Sequence, residues 1–268
     1  MVTYLFIFAS LLFILFPYLW LIISSFKPTS ELLAYPPKFI SPNFSLENYI
    51  TVFQRTKIGR FFVNSIITAT SVSISAVILS VIGGYSLARI GFPGKRILLN
   101  AVLFVYIVPP IMLVVPLYDL LVRLQLVDTM LSLILSQMAH ALPFTIWLLT
   151  IFFENLPIEV EEAAQVDGAS RLSVLRRIVL PISLPAVATA FIFAFIDSWN
   201  DFLFASVLIS SDELKTLPVG TYIFSLGAVI EWGWILSSGV IVSIPVLIFF
   251  LFFQRHLVSG LTTGAVKG

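Results

Sequence analysis

The chain has 268 residues, 59% of them hydrophobic and only 11% charged, with a mean hydropathy of +1.05. Soluble domains carry about 25% charged residues, so this is the composition of an integral membrane protein. A formal net charge of +1 leaves no basic surplus for nucleic acid, and the absence of cysteine excludes disulfides, iron–sulfur clusters and thiolate zinc sites.

Crossing a bilayer takes roughly 20 apolar residues. Six stretches qualify: Thr3–Phe26, Phe61–Ala88, Ile97–Val122, Met130–Phe153, Leu184–Ser210 and Trp232–Phe253. The first is too long for the apolar core of a signal peptide and lacks a basic flank and a small-residue cleavage site, so it reads as a retained helix. Six crossings put both termini on one side, together with the loops Arg89–Arg96 and Glu154–Ser183. Lys and Arg do not orient the chain. That side holds Arg89, Lys95, Arg96, Arg171, Arg176, Arg177, Arg255 and Lys267, eight in all, against seven opposite: Lys27, Lys38, Arg55, Lys57, Arg60, Arg123 and Lys215. The loop Lys27–Arg60 carries Pro28, Pro36, Pro37 and Pro42 and reads as an extended external segment.

The spans carry more polar groups than lipid-facing helices need. In the second, Asn64, Thr68, Ser71 and Ser75 recur at helical spacing, a pattern that joins helices at about 0.6–2 kcal/mol per hydrogen bond. Pro109, Pro110 and Pro116 must kink or break the third span. Backbone opened at membrane depth is tolerated only inside protein or beside a cavity. Asp119 precedes Arg123 by one turn, as an ion pair would. In the fourth span Gln137 and His140 lie one turn apart; in the fifth Asp197, Asn200 and Asp201 fall at i, i+3 and i+4 beside Trp199. An aspartate at mid-membrane costs about 2.5–3.5 kcal/mol, so such residues face the bundle interior or an aqueous path. Asp197 is thus a candidate for a translocation pathway, with Asn200, Asp201, Trp199, Gln137 and His140 beside it. Capping or helix-to-helix bonding is an equal alternative for Asn200 and Asp201, and a satisfied interior histidine is the simpler reading of His140.

The segment from Asn155 to Pro185 departs from all this: it is charged, helical and sharply punctuated. Pro157 suits a helix start, with Glu159, Glu161 and Glu162 at the positive end of the dipole. Gly168 reads as the stop, Ser170 as the cap of a second helix, and Pro181 as its end. Val160, Ala163, Ala164 and Asp167 form one stripe with small residues at its centre, which either packs on the protein itself or receives a close-fitting partner.

No catalytic constellation is present. RIGFPGKR has two residues between Gly91 and Gly94 where a phosphate loop needs four, and Arg96 stands where Ser or Thr would bind magnesium. The two histidines, His140 and His256, are far apart, and no nucleophile elbow occurs.

Glu162-Ala163-Ala164, then Asp167-Gly168-Ala169, Ile178 and Leu180-Pro181, resembles the EAA motif of permease subunits in importing ABC transporters. FPGKR (92–96), VPLYDLL (115–121), LPFTIWLL (142–149), SWNDFLFA (198–205) and the closing GLTTGAVKG are similar to the carbohydrate branch, the maltose- and trehalose-type importers. The resemblance covers the whole chain. It implies an all-α membrane protein, a single permease domain over 1–268 with the six helices of the type I ABC importer fold, and a coupling loop at 154–183. It also implies a prokaryotic cell-membrane location with both termini and the tail 254–268 cytoplasmic. Glu162, Ala163, Ala164, Asp167 and Gly168 would dock into an ATPase, and Gly260, Thr262, Gly264 and Lys267 would be tail contacts with it. Expected partners are a second six-span permease in a heterodimer, two ATPases that hold ATP and magnesium, an extracellular sugar-binding protein, a sugar and membrane lipid, with no cofactor or metal bound by this chain. The rival expectations are an ABC permease for another solute such as polyamine or phosphate, and a stand-alone carrier using Asp197 and His140 as a relay.

Overall fold

The computed structural model describes the backbone of residues 2–39, 41–227 and 230–265, and side chains between 3 and 252. All regular structure among the described residues is helical. In chain order the helices are α1 (Val2–Ser25), α2 (Thr29–Leu32), α3 (Glu47–Arg55), α4 (Ile58–Arg89), α5 (Lys95–Ile107), α6 (Pro110–Arg123), α7 (Met130–Glu154) and α8 (Ile158–Val166). They continue with α9 (Arg171–Val174), a π turn (Leu175–Val179), α10 (Leu180–Ile182), α11 (Leu184–Trp199), α12 (Leu203–Leu208), α13 (Leu217–Ile223) and α14 (Trp232–Ala265).

Four helices are long and apolar enough to cross a membrane: Thr3–Ser25, Ile58–Arg89, Met130–Glu154 and Trp232–Phe252. Two further spans are bent pairs, giving six crossings if each pair is one span. Lys95–Ile107 meets Pro110–Arg123 at 96°, and Arg171–Ile182 meets Leu184–Trp199 at 81°. The third span therefore breaks where its prolines require. Val108 is forced extended by Pro109, and Pro110 restarts the helix at its first position, whereas Pro116 is accommodated inside α6. The fifth span is shorter than its apolar run: α11 stops at Trp199, and Leu203–Leu208 is a separate helix. The polar tail after Gln254 is helical at the backbone, with α14 continuing to Ala265. Its 34 residues at about 1.5 Å each exceed a bilayer core of about 30 Å.

The chain packs as two units. In the unit of Met1–Asn64 and Lys215–Leu247, Asn48 closes the end of α1 by donating to the carbonyls of Ser25 (2.9 Å) and Lys27 (2.8 Å), groups a helix end leaves unpaired. Tyr49 shares a 2.7 Å bond with the Ser25 hydroxyl, Trp234 donates to Thr51 (3.1 Å), and Asn64 donates to the Lys215 carbonyl (2.9 Å). A β-carbon at Gly220 would overlap the Phe61 ring, so α13 can only lie this close to α4 without a side chain.

The unit of Ser65–Leu214 and Ile248–Gly268 holds the rest. Val72, Ala76, Ala141 and Ala194 form a core of small side chains through which α4, α7 and α11 approach closely. Of the polar groups in the second span, Thr68 reaches the Met130 sulfur (3.6 Å), Ser75 bonds back to its own helix, and the strongest link to α7 is Ser80 with Thr145 (2.7 Å). Asp119 and Arg123 form their ion pair at 2.9 Å.

At the far end of this unit Asp128, in the left-handed region at φ 61°, accepts from the amides of Ser210 and Ser211 (2.9 Å each) and from the Ser211 hydroxyl. The Ser211 hydroxyl and amide hold its carboxyl below the usual range. A depressed folded-state pKa contributes stability above the unfolded value of about 4 and loses it as pH falls through the folded one. Hydrogen exchange at the Ser210 and Ser211 amides should therefore show unchanged protection from neutral pH down to about pH 5 once the intrinsic rate is corrected. Asp128→Asn, which tolerates the left-handed backbone, should lose less protection there than Asp128→Ala; the reverse order would exclude a backbone role.

Candidate functional site

Two constellations stand out in the larger unit. The first is the charged segment. Pro157 takes the N-cap position and α8 starts at Ile158. The helix ends in a Schellman motif: the amide of Gly168 (φ 86°) bonds Gln165 O at 3.0 Å and that of Ala169 bonds Ala164 O at 3.0 Å. Ser170 then caps α9, accepting from the Ser173 amide at 3.3 Å. This is the bent pair of helices that the local signals dictate.

Its two sides differ sharply. Val174, Leu175 and Val179 are buried with Val81, Tyr85, Leu149, Phe153, Ala186 and Ala190. The other side carries Glu162, Ala163, Asp167 and Gly168, all exposed, with Ala164 half-buried. Two apolar side chains stand out beside them, Val166 at 88% and Leu172 at 62% exposure. Of the small-residue stripe, Val160, Ala163 and Asp167 are therefore open, while Ala164 packs on the apolar cluster behind it.

Between these sides lies Glu161, which sequence reasoning treats as one of three equivalent dipole charges. It is 3% exposed. Tyr85 donates to its Oε2 at 2.8 Å and Arg89 Nε donates to its Oε1 at 2.7 Å, while Arg89 Nη2 also reaches the Leu156 carbonyl at 3.1 Å. Lys95, in the FPGKR turn, pairs with Glu154 at 3.1 Å. Two ion pairs thus hold this region, one from α8 to Arg89 at the end of α4 and one from the end of α7 to Lys95 at the start of α5. The available signal was Tyr85 and Arg89 at i, i+4 on α4, a donor pair that needs an acid.

The second constellation is a cavity of about 690 Å³, lined by Tyr106, Pro109 and Pro110 at the break between α5 and α6, Asn200, Asp201 and Phe202 at the junction of α11 and α12, and Gln137, His140, Phe193 and Asp197 between them. Broken backbone thus borders a cavity, as its unpaired polar groups require. Gln137, buried on α7, donates to Asp201 (2.8 Å) and accepts from Ser198 (2.5 Å). Asp201 also accepts from the amides of Phe204 (3.2 Å) and Ala205 (3.0 Å), which starts α12. Asn200 donates to the Ile196 carbonyl at 2.9 Å. His140 stands edge-on to Tyr106, and Phe144 packs on Phe193. Asp197 takes part in none of the described hydrogen bonds. Trp199 does not line the cavity: it is 1% exposed and stacked on Phe195, because one position along α11 turns it into the core. Among the described residues no group of three or more His, Asp or Glu could hold a metal ion.

Of the expected tail contacts, Gly260, Thr262 and Gly264 fall on the helical backbone of α14, and Lys267 lies outside the described residues.

Residues 76–263 match the family described as binding-protein-dependent transport system inner membrane component. The chain belongs to this family. It is a membrane-embedded, multi-pass permease component and not an enzyme. It is 37% identical to the trehalose transport system permease SugB of Mycobacterium tuberculosis, over 95% of this chain and 93% of that protein. It is 36% identical to the trehalose/maltose transport system permease MalG of Thermococcus litoralis, over 95% and 92%. A bacterial ABC transporter involved in import of the acidic polysaccharide alginate has a chain of the same fold, with a TM-score of 0.82 at 22% identity, covering 95% of this permease and 94% of that chain.

Removing one member of a buried ion pair costs about 3–5 kcal/mol, because the other charge stays buried, whereas replacing both with apolar groups is near neutral. Glu161→Leu should therefore lower the thermal unfolding midpoint of the purified permease by several degrees, and Arg89→Leu/Glu161→Leu should recover most of that loss. A double variant as unstable as the two single losses added would contradict the pairing.

Proposed function

We propose that this permease is one of two unlike membrane subunits of an ATP-driven importer, and that it moves a saccharide delivered by an external binding protein. The observation that carries this reading is the face of α8: an open, small-residue surface at the end of a helix pair whose opposite side is buried and ion-paired to α4. A close-fitting groove on a partner is what such a face accepts. Glu162, Ala163, Ala164, Asp167 and Gly168 then dock into an ATPase subunit that holds ATP and magnesium. The helical tail through Gly260, Thr262 and Gly264 reaches towards the same partner, and α8, both termini and the tail lie in the cytoplasm. The relatives named for trehalose and for trehalose and maltose support a sugar as cargo.

The two constellations support a mechanism. ATP closes the ATPase pair and displaces α8, and the Glu161 carboxylate passes that displacement to Arg89 and Tyr85 on α4. The bundle exchanges between inward-open and outward-open states, each favoured by one state of the docked partner. In the membrane, Asp197, Asn200, Asp201, Gln137 and His140 offer hydrogen bonds beside aromatic faces along the path.

Affinity-tagged permease extracted in mild detergent should bring down an ATPase and a second six-span permease, identified by mass spectrometry. Recovery of the chain alone from repeated gentle preparations would favour a stand-alone carrier. In the complete transporter, Gly168→Val should preserve assembly at reduced yield but lower the uptake per ATP hydrolysed at least tenfold, because a β-branched residue resists the left-handed backbone that ends α8. An unchanged ratio would exclude the docking role.

A further inference from the structure

Neither the fold nor the family decides the charge of the cargo: the same architecture serves acidic alginate in one transporter and trehalose in a relative. The cavity does bear on it. Its walls offer two carboxylates, Asp197 and Asp201, and the side-chain amides of Gln137 and Asn200, set against the rings of Tyr106 and Phe193. None of the residues lining it is Lys or Arg. An aromatic face beside planar hydrogen-bonding groups suits the apolar face and the hydroxyl edge of a pyranose. A volume of about 690 Å³ lies within the range of small-molecule sites and holds two sugar rings.

The two aspartates are not equivalent. Asp201 is occupied: every described partner, Gln137 and the amides of Phe204 and Ala205, donates to it. Asp197 faces the same space with both oxygens free of described hydrogen bonds, so it can accept from two neighbouring hydroxyls or from an ammonium group. A single imidazole, that of His140, lines the cavity against these two carboxylates.

We propose that this cavity is a saccharide site carried by the permease itself, and that Asp197 with Asp201 restricts it to uncharged or amino-bearing sugars and excludes uronates. The proposal rests on the sugar-import reading and adds the charge class of the cargo. Discrimination arises by repulsion: an acidic ligand would bring a further carboxylate beside Asp197 and Asp201 in a partly desolvated space lined by neither Lys nor Arg, where charge interactions are stronger than in water.

The test uses the complete transporter in nanodiscs without its binding protein, so that only the membrane site is read. Saturation-transfer NMR reports weak binding of a matched pair, methyl β-glucoside and methyl β-glucuronide, which differ at C6 alone, with trehalose as a second neutral probe. The wild type should bind the glucoside and trehalose and bind the glucuronide at least tenfold more weakly. Asp197→Asn, which keeps the shape and removes the charge, should narrow the glucoside-to-glucuronide ratio at least threefold. Equal binding of both glycosides by the wild type, or a ratio unmoved in Asp197→Asn, overturns the charge assignment while leaving sugar import intact, provided the transporter with its binding protein takes up a saccharide. Failure to bind any neutral probe, together with failure to take up any saccharide, overturns the sugar-import reading and the site with it.

Discussion

The carboxylate of Glu161 is shared between Tyr85 at one oxygen and Arg89 at the other, and the placement of the charged helix pair depends on that arrangement. Removing a carboxylate and a guanidinium from water is unfavourable unless each is met by its counterpart with good geometry. Here both oxygens are occupied, and the guanidinium also satisfies the Leu156 carbonyl that precedes α8. Around this pair the apolar cluster of Val81, Phe153, Val174 and Val179 excludes water, which strengthens the electrostatic bond and gives it a fixed direction. A displacement of α8 relative to α4 would expose a buried charge, so the two are expected to move together. On the opposite side Glu162, Ala163, Asp167 and Gly168 remain open, and Ala164 packs on the cluster.

The cavity obeys a different constraint. A helix that stops within a membrane leaves amides and carbonyls that lipid cannot satisfy. The break at Val108–Pro109 and the end of α11 at Asn200–Phe202 border the same space, where Asp201 meets the freed amides of α12 and Gln137 holds Asp201 in place. A polar cavity in an apolar bundle is the shared consequence. The ion-paired region and the cavity share a helix: α7 supplies Gln137 and His140 to the cavity and, at its other end, Glu154 to the pair with Lys95.

What the sequence disclosed follows the range of the forces involved. The end of α8 at Gly168, the cap at Ser170 and the break at Pro109 depend on neighbours a few residues away, so the residue types alone specify them. The role of Glu161 depends on Arg89, 72 positions distant, and Glu159, Glu161 and Glu162 are indistinguishable to any argument based on the helix dipole. The end of α11 was illegible for a similar reason. No proline marks it, and the apolar run continues to Ser210, but Asp201 captures two amides and starts a new helix. Gln137, Asp197 and Asp201 were recognisable as polar groups that lipid would not accept. Trp199 beside them shows the limit of that inference, since one helical position separates a cavity wall from the core. Orientation in the membrane was beyond reach because Lys and Arg divide almost evenly between the two sides.

The absence of cysteine from this chain allows the central claim to be measured directly, since two introduced thiols are the only ones the transporter carries once its partner subunits are made cysteine-free. Gln165→Cys on α8 and Ile82→Cys on α4 are both exposed, and pulsed dipolar spectroscopy on the complete transporter reads the distance between them. If the Glu161 bracket makes α8 and α4 one rigid element, that distance distribution stays narrow and unchanged between the nucleotide-free and ATP-bound states. A shift, or a second population on adding ATP, would show that α8 moves without α4 and would contradict the account.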